Sequence, residues 1–261
     1  MRGILNRLFE AWPPGFVATS QWLTSMGVSR GLAKKYVEGG WITSIGYGAY
    51  ARKGDNPLWP GALSALQQQG KVIWVGGVYA LSLHSLIHYL PLGRETITLF
   101  GPSGTQLPKW VQDYNWSAKL LWQTTPLWPV HRGMTDNSGL AEKHVQGFTV
   151  WVSSPERAAL EMLQGVPKKW SFDFAAEVMQ GATHLSPRKL QGLLETCSSI
   201  QAKRLFLFLA EYYQHKWLER LDLTRINLGR GKRQIVTGGT FNSKWNITVP
   251  TKFQKPQGSH P

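Results

Sequence analysis

Metal-assisted nucleotidyl transfer is the first chemistry the sequence invites, because "IWVGGVY" (73–79) sets Gly76-Gly77 directly after a strand-like run. An enzyme of that kind holds Mg2+ with paired carboxylates soon after the turn, so that the metal bridges phosphate oxygens. Here the next acid after Gly77 is Glu95, and no Asp-x-Asp follows. The glycines are therefore read as permitting close strand–helix packing. His84 and His88 are spaced i, i+4, as in a zinc protease helix, but Ser85 stands where the catalytic Glu is required. No third ligand is spaced to help, so both are expected to be partly buried, hydrogen-bonded histidines. Cys197, the single cysteine, lies among small residues at a predicted helix end and reads as a structural thiol. Asp173 and Glu177, one helical turn apart, read as a solvated face. No catalytic residue, metal or cofactor is expected, and the chain is not expected to be an enzyme.

Charge is the stronger signal. The 261 residues carry a formal net charge of +14, with 29 Lys and Arg against 15 Asp and Glu. A basic balance of this size suits a polyanionic partner. It is uneven: residues 1–60 carry +4, residues 61–200 carry +2 and residues 201–261 carry +8. Polyanion contacts should therefore involve the two ends. The 13 tryptophans are spread along the chain, which fits core packing better than a row of base-stacking platforms. The longest apolar stretch, 72–83, is too short to span a bilayer, and the start has no long apolar signal region. A soluble, cytoplasmic protein without a membrane partner is expected.

The elements that would position these charges begin with a helix over 3–11, stopped by Trp12-Pro13-Pro14-Gly15. A second short helix is capped at Thr19 or Ser20 and ends at Gly27. A third is capped at Ser29 and ends at Gly39-Gly40. On that third helix Leu32, Ala33, Tyr36 and Val37 share one half of the wheel, and Arg30, Lys34 and Lys35 the other. "GYGAYARKG" (46–54) then reads as a hairpin carrying Tyr47, Arg52 and Lys53. Helix, helix, turn, helix and two-stranded wing together predict a winged helix-turn-helix over 1–56. Its candidate DNA-binding residues are Ser29, Arg30, Lys34, Lys35, Tyr47, Arg52 and Lys53, with Arg52 and Lys53 reaching the phosphate backbone.

Pro57 and Pro60 mark a junction, and 57–261 is predicted as a larger mixed α/β domain. Its strands are read at "KVIWVGG", "ETITLFGP", "AKLLWQTT", "VQGFTVWVSS", "KRQIVTGGTF" and "KWNITVP". Its helices are read at "GALSALQQQG", "VYALSLHSLIHYL", "SSPERAALEMLQG", "SFDFAAEVMQGA", "SPRKLQGLLETCSS" and "IQAKRLFLFLAEYYQHKWLERL". The fold class expected is α+β. The loop "RINLGRGKR" offers Arg225, Arg230, Lys232 and Arg233 between glycines, a pattern suited either to phosphate or to a plain solvated turn.

In sequence order, the winged helix with its "GYGAYARKG" hairpin, "VIWVGGVYALSLHSLIHYLP", "SSPERAALEML" and the closing "LGRGKRQIVTGGTFNSKWNITVP" resemble the AbiEi-like antitoxins of type IV toxin–antitoxin (abortive infection, phage-defence) modules. The resemblance runs nearly end to end. It implies an autorepressor that binds repeated promoter DNA sites through its N-terminal domain. It also implies a C-terminal domain that counters a nucleotidyltransferase toxin without a stable complex. Arg225, Arg230, Lys232 and Arg233 are then the candidate antitoxin surface, with the toxin's tRNA a possible ligand. The alternatives are a winged-helix regulator with a ligand-sensing domain, or a nucleic-acid-processing enzyme.

Overall fold

The protein was analysed as a computed structural model, which describes residues 3–87, 93–128 and 139–254. The chain divides into two compact units, each assembled from separated stretches. The first holds 1–75, 91–124 and 142–152; the second holds 76–90, 125–141 and 153–261. The boundary expected between 56 and 57 lies inside the first unit.

In the first unit α1 (Ile4–Ala11) ends where Trp12-Pro13-Pro14 withdraws two amide donors. A short strand β1 (Ala18–Thr19) leads into α2 (Ser20–Ser25), and the Thr19 hydroxyl accepts from the Trp22 amide at 3.2 Å. Gly27, at φ +82°, makes the tight turn into α3 (Arg30–Glu38), which the Ser29 hydroxyl caps by accepting from the Leu32 amide. Strands β2 (Ile42–Gly46) and β3 (Ala49–Arg52) follow, and an antiparallel sheet forms in the order β1-β3-β2. Leu8, Trp12, Phe16, Leu23, Val28, Ala33, Ile42 and Ala49 are buried together with these elements. Three helices and a two-stranded hairpin thus follow one another in the expected order, with β1 added to the hairpin as a third strand.

The same unit continues with α4 (Trp59–Gln68), whose first eight residues are all buried. A five-stranded sheet follows, built from β4 (Trp74–Val75), β5 (Thr96–Pro102), β6 (Lys119–Thr125), β7 (Leu140–Val145) and β8 (Phe148–Ser153). Its order is β6-β5-β4-β8-β7; β4 runs antiparallel to β5 and parallel to β8. A short helix, α6 (Lys109–Asp113), precedes β6. Gln67 on α4 reaches the sheet: its Oε1 accepts from the Trp151 amide and its Nε2 donates to Ile73 O.

The second unit is mostly helical: α5 (Gly77–Leu83), α7 (Pro155–Gln164), α8 (Phe172–Gly181), α9 (Pro187–Thr196) and α10 (Ile200–Tyr212). Serines 154, 171, 186 and 199 cap the last four through their hydroxyls. Leu160, Met162 and Leu163 of α7 and Leu205, Phe206 and Leu209 of α10 are wholly buried in its core. A small sheet, β9 (Arg233–Gln234), β10 (Thr240–Asn242) and β11 (Ile247–Val249), has the order β10-β11-β9, with β11 parallel to β9.

The mixed α/β fold expected from the sequence is the fold observed, with local differences. Strands β1 and β7 and helix α6 were not foreseen. The helix expected over 200–221 stops at Tyr212. Gln214 takes a positive φ of 55°, and His215 and Trp217 turn to backbone carbonyls of α8 and its C-terminal end: Nε2 of His215 lies 2.7 Å from Met179 O and Nε1 of Trp217 donates to Ala182 O. The helix expected over 78–90 is α5, ending at Leu83; its last residues, from 88, lie outside the described ones.

Candidate nucleic-acid interface

Helix α3 sorts its side chains as its period requires. Ala33 is buried, Leu32, Tyr36 and Val37 are half-buried, and Arg30, Lys34 and Lys35 are exposed. Ser29 fixes the helix start by accepting from the Leu32 amide through its hydroxyl oxygen, and its O–H proton can still donate. Lys34 pairs with Glu38 at 3.7 Å; both side chains are largely exposed, so the pair is easily given up for a stronger anion. A cavity of about 170 Å3 opens beside Arg30 and is lined also by Gln21, Thr24 and Tyr50.

The hairpin turns at Tyr47-Gly48, not at the cations. Gly46 and Gly48 have φ of +150° and +72°, and Tyr47 between them is 90% exposed. Arg52 is at the opposite end, paired across the ladder with Ile42. Its Nη1 donates to Trp12 O at 3.0 Å and its guanidinium lies 5.4 Å above the Phe9 ring. The structure thus turns Arg52 toward α1, while Lys53 is exposed at the hairpin base. Trp41, 53% exposed where the chain enters β2, was not singled out from the sequence; an aromatic directly after Gly39-Gly40 was the available signal.

In the second unit the basic loop is organised by a residue that sequence reasoning passed over. Arg204, on α10 and buried, donates to the carbonyl oxygens of Leu228, Gly229, Gly231 and Asn246. Burial, and then the neighbouring Arg233, push the Arg204 pKa below its ordinary value. With those carbonyls drawn inward, Arg230, Lys232 and Arg233 stand exposed. Arg225 is separated from them by a two-pronged pair with Glu195, at 3.0 and 3.1 Å.

The remaining groups weighed for chemistry are held by structure. The Gly77 amide donates to Glu161 Oε2 at 2.9 Å, so the carboxylate that meets the glycine turn comes from α7. His84 Nε2 lies 3.0 Å from Ser153 O; His88 is outside the described residues. Cys197 is buried, and burial pushes its thiol pKa up. Asp173 pairs with Lys252 at 2.7 Å on the surface. Among the described residues no group of three or more His, Cys, Asp and Glu is arranged to hold a metal ion, and no helix is long and apolar enough to cross a membrane.

Residues 1–92 match a family model described as "Transcriptional regulator, AbiEi antitoxin N-terminal domain", and residues 94–250 match one described as "Transcriptional regulator, AbiEi antitoxin, Type IV TA system". No curated protein matches the chain. The crystal structure of the RV2827C protein from Mycobacterium tuberculosis is similar to 94% of this chain over 89% of its own, at 16% identity and a TM-score of 0.60, a likeness of fold.

Proposed function

Because the chain belongs to the AbiEi antitoxin family of type IV toxin–antitoxin transcriptional regulators, we propose that it represses its own promoter through the first unit and counters a nucleotidyltransferase toxin through the second. The family is one of regulators and antitoxins rather than enzymes. The observation that carries the DNA reading is the exposed Arg30, Lys34 and Lys35 face of a helix fixed by Ser29, followed by a hairpin that projects Tyr47. A helix of this kind suits a major groove, and its first residues suit base edges. Arg30 and Lys34 read bases at repeated promoter sites, Lys53 holds the backbone, and Arg52 serves by fixing the hairpin on α1. The protein acts in the cytoplasm.

Arg30→Ala is expected to relax sequence preference by about 1–3 kcal/mol, the discrimination of one bidentate Arg–guanine contact. Lys53→Ala should weaken operator and random DNA alike and lower the salt slope by about one. Fluorescence anisotropy against both DNAs over a salt series separates the two. Equal losses on operator and random DNA for both variants would reject this division of roles.

The antitoxin reading rests on Arg230, Lys232 and Arg233, which Arg204 holds outward. A toxin that transfers nucleotides to tRNA handles polyanions, and this loop competes for the tRNA without a stable protein complex. Reversing the three to glutamate should impair rescue of cells expressing the cognate toxin while leaving repression intact. Melting should shift little, since the exposed loop charges carry little of the stability. Lost repression with intact rescue would assign the loop to DNA.

A further inference from the structure

A cavity of about 300 Å3 in the second unit is unassigned by the functions proposed above; α10, β10 and the turn at Thr251–Phe253 enclose it. That volume is at the lower end for small-molecule sites. Its walls are aromatic: Phe208 and Tyr212 from α10, Phe241 from β10 and Phe253. Tyr212 and Phe253 meet edge to face with centroids 5.2 Å apart, which fixes their planes. Phe241 is 38% exposed, unusual for a large apolar ring, so part of it is open to a flat ligand.

Polar groups with unused capacity face the same space. Asn242 Oδ1 accepts from the Trp245 amide, and among the described residues the Asn242 side-chain nitrogen has no partner. The Ser243 hydroxyl and the Gln254 side-chain carboxamide likewise have none among the described residues. Glu211 accepts from Lys244 and, through Oε2, from Trp245 Nε1 at 2.7 Å, which leaves lone pairs on both oxygens. Cations flank the aromatic walls: Lys232 Nζ is 4.6 Å from the Phe241 centroid and Lys252 Nζ is 5.6 Å from that of Phe253.

A flat ring with donors and acceptors on its edge, joined to an anion, satisfies all three features together. We propose that this cavity binds a nucleotide, with the base against Phe241 and Tyr212, its edge read by Asn242 and Glu211, and its phosphate near Lys232. Stacking on aromatic side chains tolerates any base, while the amide and carboxylate supply what selectivity there is. The nucleotide is either free or an unpaired residue of an RNA chain. The RNA source rests on the reading of the basic loop given above; the free source does not.

The full-length protein is titrated with the four ribonucleoside monophosphates, with short single-stranded RNA, and with an abasic sugar–phosphate oligomer of equal charge. RNA is expected to bind more tightly than the abasic oligomer. Phe241→Ala and Asn242→Ala should each weaken the base-bearing ligands, Phe241→Ala by about tenfold, the loss of one stacked base. Neither should alter the abasic oligomer, and Phe241→Tyr should restore binding. Effects on monophosphates and RNA together identify a free nucleotide; effects on RNA alone identify an RNA residue. Because Phe241 is partly exposed, Phe241→Ala should melt close to wild type. Asn242→Ala also removes the acceptor of the Trp245 amide, so its binding is compared at a temperature where circular dichroism shows it folded. Ser243→Trp offers an independent block of the opening. Operator binding measured on the same proteins should not change, so failure here is distinguishable from failure of the repressor reading. Unchanged RNA affinity in both variants, equal losses on the abasic oligomer, or no binding of any base-bearing ligand at millimolar concentration would overturn the proposal.

Discussion

Glu161→Ala is expected to destabilise the second unit by about 3–5 kcal/mol, the usual cost of removing one partner from a buried ion pair. The Glu161 side chain is wholly buried, and Gly77, Ser153 and Arg157 are among its donors. Oε2 accepts from the Gly77 amide at 2.9 Å and the Ser153 hydroxyl at 2.8 Å, and Oε1 accepts from Arg157 Nε at 3.0 Å. Gly77 opens α5, so the carboxylate also sits at the positive end of a short helix. Alanine would take the Glu161 carboxylate away from the Arg157 guanidinium, which is buried 4.3 Å over the Trp128 ring. Burial already pushes the Arg157 pKa down, and Glu161 is the larger of the influences that oppose that shift. Glu161→Gln keeps one acceptor for Gly77 or Ser153 and should cost less. The double change Arg157→Met with Glu161→Gln should recover part of the loss, since it removes both charges of the buried pair together. Urea unfolding of the three variants would decide. A loss below about 1 kcal/mol for Glu161→Ala would show that the network is not a support of this unit.

That network marks where sequence reading stopped. Local signals were legible because their causes are local: Ser29 precedes α3 and caps it as expected, and Ser154, Ser171, Ser186 and Ser199 cap their helices by the same local geometry. The apolar half of α3 and the Gly27 turn are likewise set within a few residues. Three features were not legible. Glu161 and Gly77 are 84 residues apart, and nothing in either stretch names the other. Arg52 looked like an exposed wing cation, yet Trp12 and Phe9 are positioned to receive it only after α1 folds back on the hairpin. Arg204 reads as one polar residue in an apolar helix, and its role appears only when four carbonyls from two later segments converge on it. The discontinuous units have the same origin: β4 lies between β5 and β8, so the chain returns to one sheet from distant positions, and no junction composition announces that. Strand β7 escaped because its polar residues Glu142, Lys143 and His144 sit in a row, which masks the alternation.

Gly61→Ala is expected to cost about 3 kcal/mol or more, although alanine is the better helix former by roughly 1 kcal/mol. A Cβ at Gly61, in the first turns of α4, would lie 2.3 Å from Gly15 O and 3.0 Å from Phe16 Cα. Both are backbone atoms, so no side-chain rotation relieves the clash. Nor is Gly15 free to withdraw: its amide donates to Asp55 Oδ2 at 2.8 Å, its carbonyl accepts from the Leu58 amide at 2.9 Å, and its φ is +78°. The clash therefore falls on the loop that connects α1 to β1. Gly192→Ala in α9 is the control, because nothing lies within 4 Å of its would-be Cβ, and there the propensity gain should appear as about 1 kcal/mol of added stability. Denaturant unfolding of both variants tests the contrast, and operator binding by Gly61→Ala adds a second reading. If residues 1–56 form a DNA-binding domain separable from the rest, operator affinity should survive while stability falls. If α4 is an integral support of that helix–hairpin assembly, both should fall together. A Gly61→Ala protein within about 0.5 kcal/mol of wild type would show that the α4–Gly15 contact is not tight in solution.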